Sequence, residues 1–394
     1  MTRLDVEAAR APQELRSGAP SARPAGATSA AAGPDPAVPR PGPGATPRRP
    51  GRILLWLPAA IAVLVVSLLV SLTIGPAQIT VAEIVGSAWH HVLAWLHGLG
   101  LGVDVPPNPL TEIRDAIIWS GRAPRLATGA FVGAGLALCG GVMQAITRNP
   151  LADPYLLGVS SGAALGAVAV LLLGLGLALP VAAFGGALLA LGATLALAGL
   201  GGRLSPNRTV LAGIAVAQAC SALVSFTIFA GARGDAYREI INWLMGSLAG
   251  RTWASVAIAG IATVVIGVVL LGFGRTLDAF AFGDTSAASL GVHVVRTRWV
   301  LLTLTALLTG ALVSVSGAIG FVGLVLPHVV RLLIGGRHLR LLPVAAFGGA
   351  TFLIWADTAA RTVFAPQEVP VGILTAAIGA PVFAWLLVRS RRTA

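Results

Sequence analysis

The chain has 394 residues, of which 56% are hydrophobic and only 11% are charged, and its mean hydropathy is +0.85. A soluble domain carries about 25% charged residues, so this composition excludes a water-facing globule and predicts a membrane protein. The net charge of +12 comes from arginines scattered between apolar runs, which excludes nucleic acid as a partner. Cys139 and Cys220 both lie within apolar stretches, which excludes a disulfide framework and a cysteine-based zinc site.

The N-terminal segment 1–52 is rich in proline and alanine and contains no aromatic residue. Such a segment cannot bury enough apolar area to offset the ordering of its backbone, so we predict a disordered tail. The first apolar run, 53–74, has the length of about 20 residues that crosses the hydrocarbon of a bilayer. We expect it to be a retained span and not a cleaved signal, and to be the first helix of one membrane domain over 53–390.

The apolar runs predict an all-α polytopic membrane protein with about ten transmembrane helices. The predicted spans are 53–74, 124–147, 155–176, 179–201, 209–230, 253–273, 299–317, 321–335, 343–360 and 370–388. An even number of spans places both termini on one side of the membrane. Fifteen arginines near the span ends share that side and seven lie on the other, so the positive-inside bias predicts that both termini, and the tail, are cytoplasmic.

Glycines recur at four-residue intervals in two of the spans, at Gly129 and Gly133 and then at Gly158, Gly162 and Gly166. Lipid tails are as apolar as leucine, so helices in a membrane associate through close backbone packing, which small residues permit. The stripes therefore predict a tightly packed bundle, and they indicate no function.

Catalytic and metal-binding patterns are weak in this chain. The run GVSSG at 158–162 matches the nucleophile elbow of serine hydrolases, but it opens an apolar helix, whereas an elbow follows a strand. His90, His91 and His97 flank two tryptophans without metal-ligand spacing, which is ordinary at a membrane interface. No phosphate-binding G-x-x-x-x-G-K-[ST] motif occurs, so another polypeptide must bind any ATP that is used. We expect no catalytic residue, metal or cofactor in this chain.

Several motifs in a fixed order carry a resemblance that covers about residues 53–390. They are RAPR at 122–125, GVMQ at 141–144, NPLADP at 149–154, LGVSSGA at 157–163, SGAIGFVGL at 316–324, PHVVR at 327–331, ADTAAR at 356–361, VPVGILT at 369–375 and GAPVF at 379–383. Together they resemble the permease subunit of the type II ABC importers that take up ferric siderophores, haem or vitamin B12. The resemblance implies ten helices, a second permease copy or a sister permease, an extracytoplasmic substrate-binding protein, and two P-loop ATPase subunits that use ATP and Mg.

The resemblance also implies a docking role for three arginines. In this family, arginines of an R-x-P-R element and of an A-D-x-x-x-R element meet carboxylates of the binding protein, and here they are Arg122, Arg125 and Arg361. A planar guanidinium suits this role because it pairs with a carboxylate through two hydrogen bonds. All three lie on the outer side of the predicted topology. The alternative is that they only extend to the lipid headgroups.

The cytoplasmic stretch 275–298 is predicted to form two short helices on either side of Gly283. Asp284 or Thr285 would cap the second helix, and Gly291 would end it. The resemblance implies that these are coupling helices seated in a groove on each ATPase, with Phe280, Phe282 and Leu290 as apolar anchors. The alternative is an amphipathic loop that lies on lipid. The residues assigned to ATPase coupling are Phe280, Phe282, Gly283, Ala287, Leu290 and Gly291.

Two inner elements resemble the cytoplasmic gate positions of the family, and the helix over 209–230 is expected to line the pathway with hydroxyl and amide side chains. Pro206 departs from the small polar residue expected at its position. Equally, these polar side chains could bond between helices or to their own backbone. The gate and pathway residues are Asn149, Leu151, Pro206, Asn207, Gln218 and Ser221.

These inferences predict the permease subunit of an ATP-driven importer in the cytoplasmic membrane of a bacterium. Ferric siderophore is the expected cargo, with haem and cobalamin as alternatives, and the helices would rock to alternate access. An ion-driven secondary transporter is the alternative class of protein. It would place charged residues at mid-membrane, whereas Asp153, His328, Asp357 and Arg361 lie near span ends.

Overall fold

A computed structural model describes residues 55–174, 178–200, 206–231 and 234–390, and every regular element in these ranges is a helix. The helical class is therefore confirmed, and the predicted tail over 1–52 lies outside the described residues. A π-helical turn, Ile117–Arg122, runs directly into α4, and a 3-10 helix, Pro154–Leu157, precedes α5. The α-helices are α1 (Trp56–Thr73), α2 (Val81–Gly98), α3 (Glu112–Ala116), α4 (Ala123–Thr147), α5 (Val159–Leu173), α6 (Leu179–Gly199), α7 (Pro206–Gly231), α8 (Asp235–Leu244), α9 (Trp253–Gly272), α10 (Gly274–Ala281), α11 (Asp284–Ser289), α12 (Val294–Ser316), α13 (Val322–Ile334), α14 (His338–Thr362) and α15 (Val371–Ser390).

A helix lies at the position of every predicted span. Within the described ranges, seven helical segments are long and apolar enough to cross a bilayer, and they contain α1, α4, α6, α7, α9, α12 and α14. The helices α5, α13 and α15 are apolar but shorter. Ten crossings and the side on which the termini lie therefore stay predictions.

The core of the bundle is built around α4, which packs against α14, α9, α13 and α12. Its glycines let backbones touch, because a Cβ atom at Gly133 would lie 2.2 Å from the carbonyl oxygen of Gly349 in α14. The second glycine stripe acts in the same way, since a Cβ at Gly162 in α5 would lie 2.4 Å from the carbonyl oxygen of Gly186 in α6. Close packing through both stripes is thus confirmed.

Helix α1 lies at the edge of the bundle, and only Ser67 and Ser71 in it are buried. The Ser67 hydroxyl accepts a hydrogen bond from the Trp355 indole at 3.0 Å, and the Ser71 hydroxyl bonds to that of Thr358; both partners are on α14. Small polar residues commonly join membrane helices in this way. One face of α1 therefore contacts α14, and its apolar faces are left to lipid.

The segment between α1 and α4 is an ordered cap that the sequence analysis did not foresee. Thr80 and Glu83 form a capping box at the start of α2, with the Thr80 N–H donating to Glu83 Oε2 at 2.8 Å and the Glu83 N–H donating to Thr80 Oγ1 at 3.3 Å. Arg114 Nη1 donates to Glu83 Oε1 at 2.7 Å. Hydrogen bonds from the Thr80 backbone, the Thr80 hydroxyl and Arg114 lower the pKa of Glu83. The T-x-x-E pattern at 80–83 was the available signal.

The three histidines of this cap have separate partners. The His91 ring contacts the Asp115 carboxylate at 2.9 Å, whereas the rings of His90 and His97 contact backbone carbonyls. No group of three side chains suited to a metal converges within the part of the chain that the structure describes. These histidines therefore hold parts of the cap to one another.

Candidate functional site

Helices α4 and α14 separate the predicted functional residues into two groups. Each has 25 residues and is about 37 Å long at 1.5 Å per residue. Helix α4 starts beside Arg122 and ends at the loop that contains Asn149, whereas α14 starts beside the predicted coupling helices and ends one residue after Arg361. We call the first end, with Arg122, Arg125 and Arg361, the arginine end, and the other the coupling end.

Arg125 and Asp357 form a buried ion pair at the arginine end. Arg125 Nε donates to Asp357 Oδ2 and Nη2 donates to Oδ1, each at 2.9 Å, which is the bidentate geometry of strong guanidinium–carboxylate pairs. Nη1 donates to Glu368 Oε2 at 2.7 Å. The side chain of Asp357 is 1% exposed, that of Arg125 13% and that of Glu368 50%. Two carboxylates of this chain therefore neutralise the charge of Arg125. Of the three side chains, Glu368 is the one that is half-exposed.

Arg122 and Arg361 hold the end of α1. Arg122 Nη1 donates to the carbonyl of Leu72 at 2.7 Å, and Arg361 donates to the carbonyls of Ser71 at 2.7 Å and Ile74 at 3.0 Å. The last carbonyls of a helix have no partner within the helix, so cationic donors there satisfy them. The structure thus brings the three predicted arginines close together: two of them hold the end of α1, Arg125 pairs with Asp357 of α14, and each guanidinium donates to groups of this chain. A role in docking stays a prediction.

Asp357 is the site residue that sequence reasoning missed. The sequence shows it as a carboxylate close to the end of an apolar span, and such a group requires a cationic partner. Arg361, four residues later, is the partner that sequence spacing offers. The structure instead pairs Asp357 with Arg125, which is 232 residues away in the chain. The need for a partner was therefore available from the sequence, but its identity was not.

At the coupling end, two short helices meet at a glycine, as predicted. Gly283 has φ +98° and ψ 164° between α10 and α11, a conformation that is essentially restricted to glycine. Gly291 has φ +83° and ends α11. Its N–H donates to the Ala288 carbonyl at 2.9 Å and the Val292 N–H donates to that of Ala287 at 3.1 Å, which is a Schellman motif.

The capping prediction for the second helix is wrong. The N-cap is Gly283, and neither Asp284 nor Thr285 caps the helix. The Asp284 carboxylate instead accepts from Arg298 Nη2 at 2.9 Å, and the Arg298 guanidinium lies 5.6 Å from the centre of the Phe280 ring. Arg298 of α12 therefore binds the Asp284 carboxylate, and this ion pair holds α11 against the bundle.

The assignment of all the apolar coupling residues to one contact surface also requires a correction. Phe280 and Ala287 are fully buried, because their side chains pack in the core of this chain. They therefore stabilise the coupling helices and present no surface to a partner. Phe282 and Leu290 are 76% and 69% exposed, so they are the apolar side chains that remain available for contact.

The coupling helices are attached firmly to the bundle. The His338 N–H donates to Asp278 Oδ1 at 2.8 Å, and the His338 ring contacts the same oxygen at 2.7 Å, which joins α10 to the start of α14. Arg148, at the end of α4, lies against the hinge, since a Cβ atom at Gly283 would be 3.3 Å from its Nη1. The loop that begins at Asn149 is therefore next to the coupling hinge.

The predicted gate residues Asn149 and Leu151 form a tight turn, in which the Leu151 N–H donates to Asn149 Oδ1 at 2.9 Å. They line one small cavity together with Leu324 and His328 of α13 and with residues of α15. A second cavity shares Leu324 with the first, and Gln218 of α7 lines it. The structure thus connects the predicted gate to the predicted pathway through α13.

Asp153 lines the second cavity, in the connection between α4 and α5. Its Oδ1 accepts a hydrogen bond from the Tyr155 N–H at 2.8 Å. Burial raises the pKa of this carboxyl to about 6, because removal from water disfavours the charged form. The wall of the second cavity therefore carries a carboxyl group whose pKa is raised.

The other predicted pathway residues lie on α7. Ser221 is exposed, and its hydroxyl is 3.5 Å from that of Ser161 on α5. This contact agrees with the alternative that polar side chains of α7 bond between helices. Asn207 is exposed in the first turn of α7 and lines neither of the two cavities, and the helix begins at Pro206. Ser161 lies in the first turn of α5, which follows a 3-10 helix and not the strand that a nucleophile elbow requires.

Comparison with known proteins decides the family. The profile of the FecCD transport family matches residues 63–389. The chain belongs to this family. A solved structure of a metal-chelate type ABC transporter in an inward-facing conformation matches with a TM-score of 0.71 and 32% identity, over 84% of this chain and 98% of that one. The predicted resemblance to permeases of type II ABC importers is thereby confirmed, as is a multi-pass membrane protein.

Relatives of this chain are named for different cargoes. BtuC of Halobacterium salinarum, a permease of a cobalamin import system, is 40% identical over 85% of this chain and 96% of its own length. FecD of Escherichia coli, a permease of an Fe(3+) dicitrate transport system, is 42% identical over 68% of this chain and 84% of its own length. HmuU of Yersinia pestis, a hemin transport permease, is 42% identical over 71% of this chain and 86% of its own length. Membership thus establishes the class of transporter and leaves its cargo open.

Proposed function

We propose that this chain is the membrane-spanning permease subunit of an ATP-driven importer that carries an iron–siderophore complex. Two P-loop ATPase subunits, which bind ATP and Mg, contact the coupling end. An extracytoplasmic binding protein delivers cargo at the arginine end, and a second permease copy or a sister permease completes the pathway. The observation that carries this proposal is the placement of the two regions at opposite ends of α4 and α14.

The coupling end has the properties that a mechanical contact requires. Phe282 and Leu290 are exposed, while Leu277 and Phe280 on the inner face are fully buried. A displacement of the exposed side chains is therefore transmitted to α4 and α14, against which α10 packs. Arg148 lies between the hinge and the gate loop, so movement of Gly283 reaches the gate directly. ATPase closure would move the hinge, and the helices would rock to alternate access.

At the arginine end, the half-exposed Glu368 marks where a partner's carboxylate would bind. Arg125 already pairs with Asp357 through two nitrogens, and its third nitrogen is the one that Glu368 occupies. A carboxylate of the binding protein would replace Glu368 there and leave the buried pair intact. A pair at the rim of an interface mainly sets orientation and association rate.

For the cargo, we propose a ferric siderophore, which the permease from the Fe(3+) dicitrate system supports. Cobalamin is the second candidate, because the cobalamin relative is matched over 96% of its length. The cargo is tested in a deletion strain that carries the chain with its transport partners, supplied in turn with ⁵⁵Fe-siderophore, hemin or labelled cyanocobalamin. Uptake of the iron chelate alone supports the proposal, and uptake of cobalamin alone overturns the choice of cargo.

We further propose that both termini and the coupling end face the cytoplasm of a bacterium, in its cytoplasmic membrane. In a chain with Cys220→Ser, the variants Leu290→Cys and Phe364→Cys place thiols at exposed positions of opposite ends. A membrane-impermeant maleimide added to intact spheroplasts should label the second variant and reach the first only after lysis. Labelling of Leu290→Cys in intact spheroplasts would reverse the orientation.

A further inference from the structure

A deep apolar cleft of about 600 Å³ opens on the side of the bundle between α1 and α9. Helix α14 forms part of its wall beside α1, and α4 forms its floor. All four helices belong to the segments that are apolar and long enough to cross a bilayer. The cleft therefore opens where the surrounding solvent is lipid.

The floor of the cleft is a stripe along the half of α4 nearer the arginine end, where apolar side chains are only partly covered by other helices. Ala123, Ala127, Ala130 and Ala134 are half-buried there, whereas Leu126, Thr128, Gly129 and Val132 between them are buried. Leu64, Leu68 and Leu72 of α1 and Val264 and Val268 of α9 form the facing walls. A void lined in this way loses dispersion contacts unless a ligand fills it.

The lining selects a hydrocarbon ligand. Two side chains of the lining carry a polar atom, Thr263 and Trp253, and each donates to a backbone carbonyl; the Thr263 hydroxyl donates to that of Phe131 at 3.1 Å. Water in such a space would lack the two to four polar partners that it needs. On the floor, the cleft extends from Ala123 to Leu138, about 22 Å at 1.5 Å per residue, which is more than half of the hydrocarbon thickness of about 30 Å and therefore long enough for an acyl chain of one leaflet. A long, linear apolar chain fits these limits.

We infer that this cleft binds an acyl chain of a membrane phospholipid. Its walls continue into the exposed apolar surfaces of α1 and α9, so a lipid enters from the bilayer without crossing a polar barrier. At the arginine end, Trp253 lines the cleft, and its indole donates to the Trp119 carbonyl at 2.8 Å. Tryptophan is enriched at headgroup level, so this end is where the headgroup would lie. The bound chain joins α1, which few buried residues hold in place, to α9.

The test uses the full chain in nanodiscs whose phospholipid carries a diazirine at the middle of one acyl chain. After photolysis, labelled peptides are mapped by mass spectrometry. Annular lipid labels α1, α6 and α9, but label on α4 between Ala127 and Ala134 has to come through the cleft. We expect strong α4 label in the wild type. Absence of α4 label beside well-labelled α6 and α9 overturns the inference, and so does a chain-to-chain contact that covers the cleft.

Substitutions sharpen the test. In Ala130→Phe, α4 labelling should fall about tenfold, because the ring fills space that the acyl chain needs. Ala193→Phe, on an exposed face of α6, is the matched control and should leave α4 labelling unchanged. Ala127→Leu replaces the first variant if that variant is not monodisperse. Unchanged α4 labelling in a folded cleft variant contradicts the inference. This readout needs neither ATPase nor cargo, so it is independent of the proposed function.

Discussion

The two ends of the bundle use their side chains in opposite ways. At the arginine end, charged groups are neutralised within the chain, and Asp357 is almost completely buried with Arg125. At the coupling end, Phe282 and Leu290 are exposed although they lie on helices that are well anchored. Buried ion pairs maintain a fixed geometry, whereas exposed apolar side chains on a rigid support indicate an interaction surface. The buried ion pair favours a structural role for the arginine end, and the exposed apolar side chains support the partner contact proposed at the coupling end.

The largest effect is expected from removal of one member of the buried pair. Asp357→Ala leaves the Arg125 charge without its main partner and should lower the free energy of unfolding by about 3–5 kcal/mol. Glu368→Gln, at the half-exposed partner of the same guanidinium, should cost less than about 1 kcal/mol. Both are measured by unfolding in mild detergent. Equal losses in the two variants would show that the arginine end has no special structural role.

The second prediction contrasts two exposed phenylalanines at opposite ends. Phe282→Asp should weaken ATPase binding by about tenfold or more, since burial of a phenylalanine contributes about 1.5–3 kcal/mol. Phe364→Asp, which makes the same change in the exposed turn after α14, should not alter it. Binding is measured with the purified complex as a function of ATPase concentration. If both variants weaken binding equally, the coupling end is not the specific contact.

The third prediction concerns the hinge. Gly283→Ala places a Cβ atom in a conformation that costs about 1–3 kcal/mol for residues other than glycine. Cargo uptake should therefore fall although Phe282 and Leu290 are intact. Gly185→Ala, where an added Cβ meets nothing within 4 Å, is the control and should transport normally. Normal uptake by the Gly283 variant would show that the hinge conformation is not required.

The smallest effect is a pH response of opposite sign at the two ends. The folded pKa of Asp153 is raised to about 6, so its contribution to stability is complete below its unfolded value of about 3.9 and is lost as the pH rises through 6. The pKa of Glu83 is lowered, so its contribution is complete above the ordinary value of about 4.3 and is lost only in more acidic solution.

Unfolding midpoints measured from pH 4 to 7 test this difference. Asp153→Asn should flatten the curve between about pH 4 and 6, since the amide retains an acceptor for the Tyr155 N–H and does not titrate. Glu83→Gln should leave this interval unchanged. A flattened curve in the Glu83 variant, or none in the Asp153 variant, would contradict the assigned signs.

The parts of the fold that the sequence predicts are those set by local pattern. Apolar runs predict the positions of the long helices. Gly283 and Gly291 predict the break between the coupling helices and the end of the second one, and both have a positive φ in the structure. The sequence does not show that Phe280 is buried and Phe282 exposed. The two residues are two positions apart on a short helix, so which ring enters the core depends on how that helix packs against the bundle. The sequence also does not identify Arg125 as the partner of Asp357, since this pairing depends on how α4 packs against α14.

Cargo accumulation in vesicles tests the proposed function most directly. One preparation contains the permease with its P-loop ATPase and binding protein, and a second contains this chain alone. We predict ATP-dependent accumulation in the first preparation, abolished by Phe282→Asp and retained in Phe364→Asp, and none in the second. Accumulation by the chain alone, driven by an ion gradient and indifferent to nucleotide, would contradict the proposed function.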